Sequence, residues 1–117
     1  MNNISIDGFS KTGNWYKGNL HCHSTNSDGK LSPQEVVDLF KNNGYSFLCF
    51  SDHDIYTDYR NEFDCEDFII LPGLEASVNL FDESGKYRLK VHHIHGILGT
   101  SDMEANAKNK FEHLQRR

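Results

Sequence analysis

The sequence predicts an α/β fold in which short parallel strands carry an added hairpin, and three observations support that expectation. A helix with clear start and stop signals lies between two short apolar runs. A third apolar run follows, and the order strand, helix, strand, connection, strand favours parallel strands with right-handed crossovers. Residues 76–98 then read as two strands around a turn-forming stretch, which is a hairpin pattern.

Residues 1–14 are polar, with Ile4, Ile6 and Phe9 offering a short edge strand. From Trp15 to His23 aromatics and Leu20 alternate with polar positions, so a strand is expected there. A loop runs from Ser24 to Leu31. Ser32-Pro33-Gln34-Glu35 combines an N-cap serine, proline at the first helical position and glutamate three residues after the cap. The helix that starts at Pro33 buries Val36, Val37 and Phe40 and stops at Gly44, a residue suited to the left-handed position past a helix end. Tyr45 to Ser51 reads as a strand covered on both faces, and Phe68 to Gly73 as another. Asp82 to Gly85 forms the hairpin turn. Ser101 with Glu104 repeats the capping-box spacing and opens a terminal helix.

The 117 residues suit one domain, and 37% apolar with 12% aromatic residues can build a core. Mean hydropathy is -0.65, so the apolar residues must be concentrated in a few strands and helix faces. No run approaches the roughly 20 apolar residues of a membrane span, and the start MNNISIDG lacks a signal-peptide pattern, so a cytoplasmic protein is expected. Cys22, Cys49 and Cys65 form no CxxC pair, which argues against a disulfide framework; Cys22 and Cys49 read as small buried residues. Seventeen acidic against twelve basic residues leave a formal charge of -5, with Lys and Arg scattered. That balance argues against a nucleic-acid footprint. Seven histidines in so short a chain are the stronger oddity.

The polar residues gather where strands are expected to end. His21 and His23 close the first strand, Asp52-His53-Asp54 the second, and Glu75 follows the third. In parallel α/β architectures those ends share one rim, where catalytic groups collect. Residues two apart on a strand point to one side, so His21 and His23 form a two-nitrogen clamp with Cys22 facing away. Each element has a plain structural alternative: core or surface histidines, Asp28 as a turn residue, a solvated strand end at Asp52-His53-Asp54, Glu75 as an exposed acid. In "HHIHG" His93 and His95 share a face and His92 takes the other; one or two of them suffice as ligands. Together these groups favour a metal centre, and mixed nitrogen and oxygen donors suit Zn, Mn or Fe better than calcium.

The segments "NLHCHSTNSDGKLSPQEVV", "FLCFSDHD", "PGLEAS" and "HHIHGI" resemble, in order and spacing, the motifs of the PHP domain, the polymerase and histidinol phosphatase family of metal-dependent phosphoesterases. The resemblance covers roughly residues 15–100. It implies a distorted (β/α)7 barrel with two or three divalent ions at its C-terminal rim, of which this chain is the N-terminal portion. Carried over residue by residue, the implied metal ligands are His21, His23, Asp28, His53, Glu75 as the bridging carboxylate, and His93. His92 and His95 match nothing in the family pattern. Asp52 or Asp54 is left to orient His53 or to shuttle a proton. The family pattern also needs a further histidine and a late Asp-x-His pair, and no such pair occurs after residue 95. A full barrel of this kind takes about 200 residues or more, so one PHP-like domain, incomplete at its C-terminus, is expected.

The implied function is a hydrolase that uses a metal-bound hydroxide on a small phosphorylated substrate, with activity requiring the missing C-terminal part or a partner that supplies it. A non-catalytic metal-binding fragment is the alternative, and an exonuclease-like domain of DNA-processing machinery is a weaker one. The expected partners are the substrate and a second copy or the missing C-terminal part, without nucleic acid or membrane.

Overall fold

The computed structural model describes residues 8–9 and 11–104. Its centre is a three-stranded parallel sheet in the order β1 (Gly18–Asn19), β2 (Phe47–Cys49), β3 (Ile69–Leu71). Helix α1 (Pro33–Asn42) connects β1 to β2, and the short helix α2 (Arg60–Phe63) lies between β2 and β3. A separate antiparallel pair follows, β4 (Gly73–Phe81) with β5 (Arg88–Ile97). The mixed α/β class, the parallel pairing and the hairpin agree with the sequence.

Helix α1 begins as its residues dictate. The Ser32 hydroxyl accepts from the Glu35 amide and the Glu35 carboxylate accepts from the Ser32 amide at 2.8 Å, which closes a capping box ahead of Pro33. At the other end Gly44 takes a φ of +76°, a conformation glycine adopts without steric cost. The helix buries Val36 and Val37 against Leu48, Phe50, Phe68 and Ile70. Burying each of these large side chains contributes roughly 1.5–3 kcal/mol, so this cluster is the main stabilising element under the sheet.

Several boundaries differ from expectation. The first strand is two residues long, where the alternation predicts Trp15 to His23. Just past it, the Asn19 side chain accepts the His21 amide at 3.0 Å, a local bond that competes with the ladder. Trp15 and Tyr16 are exposed, so their alternation marks no buried face. The chain nevertheless stays beside β2: Ser51 donates its amide to the Cys22 carbonyl at 2.8 Å. Strand β2 is covered on both faces, as a central strand should be, whereas Ile69 of β3 is 53% exposed. Ile4, Ile6 and most of the expected terminal helix lie outside the described residues; Asp102–Glu104 form a first helical turn. Among the described residues no helix is long and apolar enough to cross a membrane.

The join between the sheet and the hairpin positions the site. Pro72 separates β3 from β4, and Gly73 lets the backbones come close: a Cβ there would lie 2.6 Å from Cys49 Sγ and 2.7 Å from the Gly96 carbonyl. Past β2 the chain then runs beside the start of β4. Thr57 and Gly73 exchange amide bonds, Asp54 donates to the Glu75 carbonyl at 2.9 Å, and Glu75 donates to the Asp52 carbonyl at 3.1 Å. Glu75 therefore sits inside β4, beside His53, and not in a loop after β3.

Candidate metal centre

The site is assembled around one buried carboxylate. Glu75 is 2% exposed, yet five imidazoles reach it: His21, His23 and His53 at one oxygen, His93 and His95 at the other. His21 Nε2 and His23 Nε2 lie 3.1 and 3.0 Å from Glu75 Oε2, and 2.8 Å from each other. As the two-residue period requires, Cys22 between them turns to the hydrophobic core. His53 Nδ1 is 3.7 Å from the same oxygen, and His93 Nδ1 is 2.7 Å from Oε1. Asp28, 68% exposed, closes the open side, with its oxygens 3.5 Å from His23 Nδ1 and 3.4 Å from His53 Nε2.

All six residues expected as ligands are thus brought together. They form overlapping triads whose donor atoms lie within 4.8 Å of one another: His21, His23 and Glu75; His23, Asp28 and His53; His53, Glu75 and His93. Donors bonded to one ion at about 2.0–2.2 Å stand roughly 2.8–3.6 Å apart at octahedral or tetrahedral angles, and the separations in the cluster run from 2.7 Å (His93 to Glu75) to 3.7 Å (His53 to Glu75). His23 Nδ1 is also buried without a hydrogen-bond partner, a costly arrangement in the absence of a ligand for that nitrogen. The donor set and its spacing fit a divalent cation.

The charges fit as well. Burial pushes the Glu75 carboxyl up, but the hydrogen bond from His95 and the charges of His21, His53 and His93 outweigh it, leaving the group below its ordinary range. Burial first, then the neighbouring His53, pushes His23 down, against the pull of Glu75 and Asp28. Near neutral pH this corner holds an anionic carboxylate and a neutral imidazole, the states that bind cations. Burial raises both the Cys22 and Cys49 thiols to about 11, so they stay protonated; Cys49 is buried, as expected, whereas Cys22 is only partly buried against the core.

These shifts carry a sign for stability. Both groups bind protons less readily when folded, so the chelated protein loses stability as pH falls, first through the ordinary histidine value near 6.5 and again below the ordinary glutamate value near 4.3. Urea midpoints followed by circular dichroism in EDTA should decline below about pH 6.5 and again below about pH 4.3. A flat profile would contradict the assignment.

Asp52 and Asp54, the candidates for orienting His53, have other partners. Asp52 is fully buried and accepts the Ser24 amide at 2.7 Å, the Ser24 hydroxyl at 2.9 Å and the Ser27 hydroxyl at 2.8 Å. It thereby holds the loop between His23 and Asp28. Gly29 completes that closure, since a Cβ there would lie 2.4 Å from the His23 carbonyl oxygen. Asp54, at φ 58°, accepts the Ser77 amide at 2.8 Å and clips β4 in place. The ring of His53 is addressed instead by Asp28, Glu75 and the Ser77 hydroxyl, 3.4 Å from Nδ1.

Sequence reasoning left His95 unassigned, although it shares a face with His93. The hairpin register sets it directly opposite Glu75, with Nε2 3.2 Å from Oε1. His92 pairs with Val78, on the other face. The Ser24 and Ser27 anchors were also missed, because their partner lies 28 and 25 residues away.

Comparison with known proteins bears on this geometry. Thirty-eight residues are 53% identical to a Haemophilus influenzae protein named 5'-3' exoribonuclease, covering 32% of this chain and 14% of that one. Forty-five residues are 40% identical to the DNA polymerase/3'-5' exonuclease PolX of Bacillus subtilis, covering 38% of this chain and 8% of the relative. The matched segments thus span a small part of either curated protein. The signature of the PHP domain matches residues 19–114 and takes in every residue of the cluster, so the chain belongs to the PHP domain family.

Proposed function

We propose that the protein is a divalent-metal-dependent phosphoesterase acting on a small phosphorylated molecule. The observation that carries this reading is the single buried carboxylate shared by imidazoles from separate parts of the chain. PHP domains bind divalent metals and the family includes hydrolases. The residues that would hold two or three ions, as Zn, Mn or Fe, are the three triads, with Glu75 common to two of them. Bound there, such ions supply the Lewis acidity that makes hydroxide available near neutral pH and neutralises charge on phosphoryl oxygens.

The chain's own groups do the rest. Glu75 supplies a buried anionic centre between His21 and His23, which strengthens the site's hold on cations. Asp28 marks the side open to solvent, where a phosphate would enter. In the proposed architecture β1, β2 and β3 are consecutive strands of a distorted barrel within one PHP domain, and the cluster occupies the rim at their C-terminal ends. The three free thiols agree with work in the reducing cytoplasm.

A second reading is cleavage at the end of a nucleic-acid chain. The names of the two relatives favour it, while the formal charge of -5 and scattered Lys and Arg favour the small substrate. The test is phosphate release from phosphomonoesters, phosphodiesters and short oligonucleotides, before and after EDTA treatment and reloading with Mn, Zn or Fe. Turnover on small esters should vanish with the metal and fall by at least about 100-fold in His23→Ala. Turnover on oligonucleotides alone selects the second reading. Loaded protein that turns over no substrate overturns both and leaves a metal-binding module.

A further inference from the structure

Glu75 Oε2 faces His21 and His23, while Oε1 faces β5. A ligating carboxylate that several groups share has to be held in one orientation, and such holding groups are commonly hydrogen-bond donors outside the ligand set. His95 has that geometry. It stands directly across the antiparallel pair from Glu75, the register in which side chains on one face come closest. Its Nε2 lies 3.2 Å from Oε1, and its ring packs edge-on against the ring of His21, centroids 4.0 Å apart. Yet His95 is in none of the triads whose donor atoms converge within 4.8 Å among the described residues.

We propose that His95 is a positioning residue: its Nε2–H donates to Glu75 Oε1, turns Oε2 toward His21 and His23, and its ring sets the plane of His21. A neutral imidazole has one N–H to give, so the tautomer that donates from Nε2 is the one this role needs. The inference rests on the reading of the cluster as a divalent-metal site, and deepens it by one residue that the family resemblance does not supply.

The experiment is a Co²⁺ titration of the full chain by calorimetry and visible absorption, on wild type, His95→Phe and His95→Gln. Phenylalanine keeps a ring against His21 but has no donor; glutamine places an amide N–H near the position of Nε2. His95→Phe should bind about 10–100-fold more weakly. His95→Gln should stay within about threefold of wild type, and the cobalt bands should keep their positions in both variants. Far-UV circular dichroism checks folding, and His95→Leu replaces His95→Phe if that variant does not fold. Wild-type affinity in the donor-free variant overturns the proposal while the metal site stands. Equal losses in His95→Gln and the donor-free variant, or shifted bands, make His95 a ligand and also overturn it. Wild-type protein that takes up no cobalt overturns the site and the inference together.

Discussion

Glu75→Gln is expected to weaken divalent-metal binding by more than about 100-fold while leaving the chain folded. Glutamine has nearly the shape of glutamate, so the packing of a side chain only 2% exposed is preserved. The charge is lost, and an amide NH2 replaces one of the oxygens that five imidazoles surround. Two of the three donor triads lose their only anion by this change; the triad of His23, Asp28 and His53 keeps Asp28. Metal content after dialysis, read by mass spectrometry, should therefore fall to at most the share of that remaining triad. A variant with undiminished content and affinity would show that the carboxylate does not hold the metal.

Asp52→Ala is expected to destabilise the protein by about 3 kcal/mol or more. The carboxylate is fully buried and accepts three bonds from the loop after His23. Hydrogen bonds to a charged group contribute about 1.5–3 kcal/mol each, and their loss strands a buried amide and the Ser24 hydroxyl. Asp52→Asn keeps one acceptor oxygen but turns an NH2 toward groups that also donate, so it should fall between alanine and wild type. Urea unfolding of the metal-free protein measures both. Because this loop joins His23 to Asp28, the same variants should lose metal affinity as well. An alanine variant within about 0.5 kcal/mol of wild type would remove the network from the account of the site.

The legible features were those written in local chemistry. Ser32-Pro33-Gln34-Glu35 specifies its helix start through bonds no more than three residues apart, and Gly44 its end. The hairpin turn is equally local: the Asp82 side chain accepts the amides of Lys86 and Tyr87. The six ligand candidates were legible as residue types and spacing, aided by the family resemblance. Strand length was misread, because Trp15 and Tyr16 alternate with polar neighbours without being buried. Alternation reports a possible face, and burial depends on what else the chain brings to it.

The roles of the acidic residues near His53 followed the same division. Asp52 and Asp54 are neighbours of His53 in sequence, yet one turns inward to Ser24 and the other backward to Ser77, since a φ of 58° at Asp54 redirects the chain. No local pattern carries that information. The two-residue period already separates His92 from His93 and His95 by face, but that His95 stands opposite Glu75 comes from the pairing of β4 with β5.

The sequence by itself determined the α/β class, the capped helix, the hairpin and a store of histidines and carboxylates suited to a divalent cation, because these follow from interactions a few residues long. The tertiary structure decided which of those groups meet. It placed Glu75 inside a strand beside His53, turned Oε2 to the first histidine pair and Oε1 to β5, and gave Asp52 to the loop and not to a ring. Those choices depend on backbone bonds between residues more than twenty positions apart, such as Glu75 with Asp52 and Ser51 with Cys22, and such pairings are fixed only when the sheet closes.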